Sequence, residues 1–140
     1  MLFRSRQTTF YPFALTARLA GDVLLDSEIE APTYESATHG TVSVLSVAAT
    51  ESSETGMRAL FLVNRSEHDA LTVTIEGEGA IVEAWTLSDV DPAASNTLAE
   101  PMRVTPTATE IIDRAVLRLP PLSWTATIID GDSSAPRRGQ

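Results

Sequence analysis

The sequence predicts an all-β protein, an antiparallel sandwich preceded by one short N-terminal helix. Between Gly21 and Asp130, apolar and polar side chains alternate with period two in short runs rich in Val, Ile and Thr, the pattern of half-buried strands. Clusters of Gly, Pro, Asp and Ser separate these runs at close intervals, as in sandwiches and barrels. Only the stretch before Gly21 departs from that period.

Within Met1 to Ala20, Pro12 suits the first turn of a helix and Gly21 the position just past its end. Phe13, Thr16, Ala17 and Ala20 then share one face, with Leu15 and Leu19 forming a second apolar row. The spacing predicts a helix from Pro12 to Ala20. It is too short to stand alone in water and needs a packing partner. Phe3, Phe10, Tyr11 and Phe13, half of the eight aromatic residues, crowd into the same segment and mark a packing surface.

Asp22 to Glu30 reads as the first strand, with Val23 and Leu25 alternating against Leu24 and Asp26. Val42 to Thr50 and Met57 to Asn64 read as a hairpin turned by Glu51-Ser52-Ser53-Glu54-Thr55-Gly56. Leu71 to Glu76 places Thr72, Thr74 and Glu76 on one side and Leu71, Val73 and Ile75 on the other, so one face is wet. Gly77 and Gly79 turn the chain into Ala80 to Ser88, which contains Trp85. Asp89 to Pro101 reads as a long surface loop. Met102 to Ile112, Ala115 to Leu119 and Leu122 to Asp130 complete the strands, with Pro120-Pro121 marking a strand end or crossover.

With 140 residues the chain sits at the common size of one domain, large enough to bury roughly 70% of its unfolded surface without staples. It has no cysteine, which removes disulfides and cysteine zinc sites together. All ten basic residues are arginine, set against 19 acidic ones, for a net charge of -9. Such a surface repels phosphate backbones, so no nucleic acid is expected as a partner. No long apolar run points to a membrane, and the polar start lacks a signal-peptide pattern, so the simplest expectation is a soluble, cytoplasmic protein.

Candidate chemistry is sparse. His39 and His68 both lie in polar, turn-like stretches without a serine elbow beside them, and read as solvated loop residues. Asp89 with Asp91 and Asp130 with Asp132 fit turns better than a calcium loop, so no metal and no cofactor is expected. Glu83 could join an acid and base pair for glycoside hydrolysis, which needs two carboxyl groups about 5 to 9 Å apart, but no spacing selects its mate. Trp124, between Leu122 and Ala126, reads as core; Trp85 alternates with Glu83 and Leu87 and is the candidate sugar-stacking residue. Asn64-Arg65-Ser66 matches a glycosylation acceptor that has no meaning without secretion.

Several stretches together carry a resemblance. Arg6-Gln7-Thr8-Thr9-Phe10-Tyr11-Pro12-Phe13, Ala31-Pro32-Thr33-Tyr34-Glu35 and Phe61-Leu62-Val63-Asn64-Arg65-Ser66 are three of them. The most specific is Leu87-Ser88-Asp89 followed by Asp91-Pro92, Asn96-Thr97, Pro101, Val104 and Pro106, and Leu119-Pro120-Pro121-Leu122-Ser123-Trp124-Thr125 closes the set. From about Arg6 to Ile129 the chain resembles the C-terminal part of family 51 glycoside hydrolases, the α-L-arabinofuranosidases.

The resemblance implies a jelly-roll-like accessory sandwich at residues 21–130. Residues 1–20 would be the remnant of the last helix of a catalytic (β/α)8 barrel and its lead-in, and 131–140 an unstructured tail. The family removes terminal α-L-arabinofuranosyl groups with retention, in L-arabinose metabolism, using two glutamates on barrel strands. The family acid/base glutamate follows an asparagine, whereas Asn64 precedes Arg65 and Asn96 precedes Thr97, so no catalytic residue transfers. The chain by itself is expected to be inactive. Its expected partner is a catalytic barrel of the same or a neighbouring polypeptide, with self-association as a further expectation because Phe10, Tyr11 and Phe13 would form an exposed apolar patch. A strand supplied from before the barrel would be missing, leaving an unpaired sheet edge. The alternative is a free-standing carbohydrate-binding or protein-interaction module.

Overall fold

A computed structural model describes residues 10–77, 79–88, 99–100 and 103–130. One helix, α1 (Phe10–Leu19), is followed by the strands β1 (Val23–Leu25), β2 (Thr33–Ser36), β3 (Gly40–Ser43), β4 (Leu45–Glu51), β5 (Arg58–Asn64) and β6 (Leu71–Thr74). Then come β7 (Ala80–Leu87), β8 (Thr107–Ala108), β9 (Glu110–Asp113), β10 (Val116–Leu119) and β11 (Ser123–Asp130). They form a six-stranded sheet in the order β1-β4-β5-β11-β7-β8, a three-stranded sheet β6-β10-β9, and a separate pair β2-β3. Every pairing is antiparallel.

The two larger sheets face each other across the main core. Leu45, Val47, Leu60, Leu62, Ile81 and Ala84 of the six-stranded sheet pack against Leu71, Val73, Leu117 and Leu119 of the three-stranded one. Leu117 and Leu119 are fully buried, whereas Thr72 and Thr74 point to solvent, so the expected wet face of the Leu71 segment is observed. The chain passes between these two sheets from β5 to β6, from β6 to β7, from β8 to β9 and from β10 to β11. Pro120 to Leu122 make the last of these crossings, where Leu122 adopts a φ of 47° and its N–H donates to the Ser66 carbonyl.

Central β11 is buried on both faces, so it reads as an unbroken apolar and threonine run rather than an alternation. Its inward threonines satisfy themselves inside the sandwich. Thr86 Oγ1 lies 2.8 Å from Thr109 Oγ1 and 2.9 Å from Thr125 Oγ1, and Thr127 Oγ1 donates to the Glu83 carbonyl at 2.9 Å. Each hydroxyl thus replaces the water it lost on burial.

Asn64 takes the same logic furthest. Its side chain is fully buried, and its Nδ2 donates to the carbonyls of Asp69 at 3.0 Å, Pro120 at 2.9 Å and Leu119 at 3.3 Å. Its Oδ1 accepts the Ser66 N–H at 3.0 Å. A residue this enclosed ties the β5–β6 turn to the β10–β11 crossing and offers no surface for a glycan.

Three sequence expectations need correction. The first strand stops at Leu25 instead of Glu30, because Asp26 to Glu30 are all exposed and pair with no strand among the described residues. The expected strand Val42 to Thr50 breaks at buried Val44, whose N–H turns away to the Pro32 carbonyl and whose carbonyl accepts from Arg65 N. Its first part, β3, instead pairs with β2, a hairpin that the polar Thr33–Ser36 run did not announce. Met102 to Ile112 divides into β8 on one sheet and β9 on the other. Most of the Asp89–Pro101 loop, all of 1–9 and all of 131–140 lie outside the described residues.

Candidate functional site

The outer face of the six-stranded sheet collects the aromatic and charged side chains singled out in the sequence. Helix α1 lies against β11 there. Tyr11, Leu87 and Val104 form a second buried cluster with Trp124 packed on it, and the Phe61 and Trp124 rings stack with centroids 6.0 Å apart at 27°. Tyr11 is therefore buried by the sandwich itself, which corrects the expectation that it forms an exposed patch. The side chains of Phe10 and Phe13 lie outside the described residues. The need of a short helix for a packing surface is met by this face.

A carboxylate holds the far end of the helix to the sheet. Glu83 Oε1 accepts from Arg18 Nη2 at 2.8 Å and from Trp85 Nε1 at 2.6 Å. Glu83 and Trp85 share a face because they are two apart on β7. The β-bulge that places Ile128 opposite Glu83 but Ile129 opposite Ile81 leaves Val82 as the extra, exposed residue. Val82, Ile128 and Met57 floor an open groove of about 790 Å³, with Arg18, Glu83, Asp22 and the Ser52–Thr55 turn along its rim.

Both rim carboxylates are held ionised. The Trp85 indole N–H, and after it the Arg18 guanidinium, keep the Glu83 carboxyl below the usual glutamate range against a partial burial cost. Asp22 is lowered by the Ser53 hydroxyl and backbone N–H, which donate at 2.5 and 2.8 Å. A retaining hydrolase needs one carboxyl raised so that it can donate a proton near neutrality. Both shifts here run the other way, and both groups already accept hydrogen bonds from local structure.

Because its folded pKa is depressed, Glu83 contributes stability that is present above its unfolded pKa and lost as pH falls through the folded value. Between about pH 6 and pH 3 the melting temperature of Glu83→Gln is therefore expected to fall less steeply than that of the wild-type chain. Identical slopes in thermal melts followed by circular dichroism would contradict this role.

The remaining candidates are scattered. His39 sits in the exposed β2–β3 turn, and His68 is exposed with Nε2 3.9 Å from Glu67 Oε2. Asp130 ends β11, while Asp89, Asp91 and Asp132 lie outside the described residues. Among the described residues no group of three or more metal-ligating side chains is gathered, and no helix is long and apolar enough to cross a membrane. Trp124 is half-buried against the Tyr11 cluster, as expected of a core residue, and Trp85 is half-buried with its indole N–H committed to Glu83. Arg18 and Asp22 were missed. Arg18 stands 65 residues from its partner, and no local pattern announces such a pair.

The family model for the α-L-arabinofuranosidase C-terminal domain matches residues 4–123. The chain belongs to this family. The domain is 42% identical over 132 residues to the exo-α-(1→6)-L-arabinofuranosidase of Bifidobacterium longum, covering 86% of this chain and 25% of that protein. It is 37% identical over 129 residues to the intracellular exo-α-(1→5)-L-arabinofuranosidase of Streptomyces lividans, covering 86% of this chain and 19% of that one. The solved structure of AbfB, a family 51 α-L-arabinofuranosidase from Bifidobacterium longum, superposes with a TM-score of 0.81 at 30% identity, over 90% of this chain and 25% of that structure. The arabinofuranosidase C-terminal domain thus spans about a fifth to a quarter of these relatives, and its role is that of an accessory β-sandwich.

Proposed function

We propose that this domain stabilises and completes a catalytic (β/α)8 barrel, encoded in the same or a neighbouring polypeptide, and performs no chemistry of its own. The whole assembly would release terminal α-L-arabinofuranosyl groups with retention, in the cytoplasm. The observation that carries the reading is the family match over residues 4–123 combined with coverage of only 19% to 25% of the relatives. The downward shifts of Asp22 and Glu83 support it from the chemical side.

In this reading residues 1–20 are the remnant of the last barrel helix and its lead-in, and 21–130 are the sandwich. The edge strand β9, with Ile111 and Ile112 exposed, is the place where a strand from elsewhere in the assembly would pair.

The purified chain is expected to show no turnover of an aryl α-L-arabinofuranoside. Hydrolysis that survives repeated purification would reject the reading. A carbohydrate-binding role is favoured by one observation, the half-buried ring of Trp85 at the outer face. Tryptophan fluorescence during titration with arabino-oligosaccharides separates the two. An unchanged signal agrees with the accessory role, whereas saturable quenching lost in Trp85→Ala, with the fold intact, establishes sugar binding.

A further inference from the structure

Among the described residues the β2–β3 hairpin joins neither of the two larger sheets. Its strands pair there with each other alone, and most of their residues are exposed. Its base is fixed by the Val44 N–H donating to the Pro32 carbonyl at 2.9 Å and by Arg65 Nη1 donating to the Ser43 carbonyl at 3.1 Å. A two-stranded ribbon in water is marginal, so its conformation gains from a surface to rest on.

The two faces of the ribbon differ. Glu35 is opposite Thr41 on one face, and Thr41 Oγ1 donates to Glu35 Oε1 at 2.6 Å. On the other, Tyr34 is opposite Val42 and remains 41% exposed. Aromatic side chains with a polar tip are the usual anchors of protein interfaces. From Asp26 to Ser43 the chain also carries Asp26, Glu28, Glu30 and Glu35 and not one Arg or Lys. This acidity argues against a second copy, whose net charge is also -9.

We propose that the hairpin is the arm by which the domain grips the catalytic portion, with Tyr34 entering an apolar pocket rimmed by arginine or lysine side chains. The inference rests on the accessory role proposed above and assigns its contact surface. The complementary charge of the rim would steer the acidic arm, and burial of the ring would hold it.

The test measures binding of the immobilised chain to the catalytic portion of the Bifidobacterium longum relative. That portion is produced without the matched quarter and confirmed as folded by circular dichroism. Tyr34→Ala is expected to weaken binding by about 10-fold or more. A triple variant, Glu28→Gln with Glu30→Gln and Glu35→Gln, is expected to flatten the dependence of affinity on salt. The triple variant leaves the Tyr34–Val42 pair intact and so carries the test even where Tyr34→Ala loosens the ribbon. Equal affinity and equal salt dependence for the wild-type chain and both variants would overturn the role of the hairpin while the pairing of domain and catalytic portion stands. Absence of binding by the wild-type chain would overturn both.

Discussion

Asn64→Leu is expected to destabilise the domain by about 3 kcal/mol or more, at roughly 1 kcal/mol for each of the contacts it strands. The leucine preserves much of the side-chain volume but leaves the carbonyls of Asp69, Leu119 and Pro120 without the amide that serves them, and the Ser66 N–H without its acceptor. The bond to Leu119 is buried and the other three are partly buried, so water replaces them incompletely. For a chain of this size the melting temperature should fall by roughly 10 °C. Arg65→Ala, one residue away at an exposed position, removes a single bond to the Ser43 carbonyl and should cost about 1 kcal/mol or less. Thermal melts of the two variants check the contrast, and comparable small losses in both would show that Asn64 is not the node described.

Gly21→Ala is expected to cost about 2 to 3 kcal/mol by overpacking. Gly21 leaves the helix directly beneath the end of β4, and an added Cβ there would overlap the Glu51 backbone carbonyl group and approach Ser52 N to 2.6 Å. The neighbouring backbone has little freedom to retreat. The Gly21 N–H donates to Thr50 Oγ1 at 2.9 Å, Val23 pairs with Glu51, and Glu51 pairs with Arg58. Gly40→Ala provides the contrast. It has open space around it but a φ of +70°, so only the left-handed conformation opposes the methyl group, at about 1 kcal/mol. Urea denaturation should rank Gly21→Ala as the more damaging of the two; the reverse ranking would mean that the helix and the β4 end separate easily. In that case α1 would be only loosely seated on the sandwich.

Strands were legible wherever one side of the sheet is wet or a turn is chemically marked. Leu71 to Glu76 alternates because only one face meets the core, and the Ser52–Gly56 turn announces the β4–β5 hairpin by composition. The β2–β3 ribbon was hidden because its residues pack on little, so nothing selects an apolar period at Thr33–Ser36. The split of β8 from β9 was hidden for a different reason. Thr107–Ala108 and Glu110–Asp113 are separated in sequence by Thr109 alone, and the competition between two sheets for partners divides them.

The outer-face site was half legible. Glu83 and Trp85 stand two apart on a strand, and that spacing alone puts them on one side. Their bond to each other, the bulge at Val82 and the arrival of Arg18 depend on how a helix 65 residues earlier is laid across β11 and β7. Charge pairs of that separation leave no periodic trace in the chain.

The order of apolar and polar residues by itself determined that this chain is a small acidic sandwich led by a helix, because burial of one face imposes a period on each strand. Its motifs determined its kinship. Tertiary structure alone decided which carboxylates are spent on holding the helix, that Asn64 is a buried tie rather than a surface acceptor, and that Tyr34 stands out on an unsupported ribbon. Each of these depends on which residues distant in the chain become neighbours, and register across sheets, unlike hydrophobic period, is set only when the whole core closes.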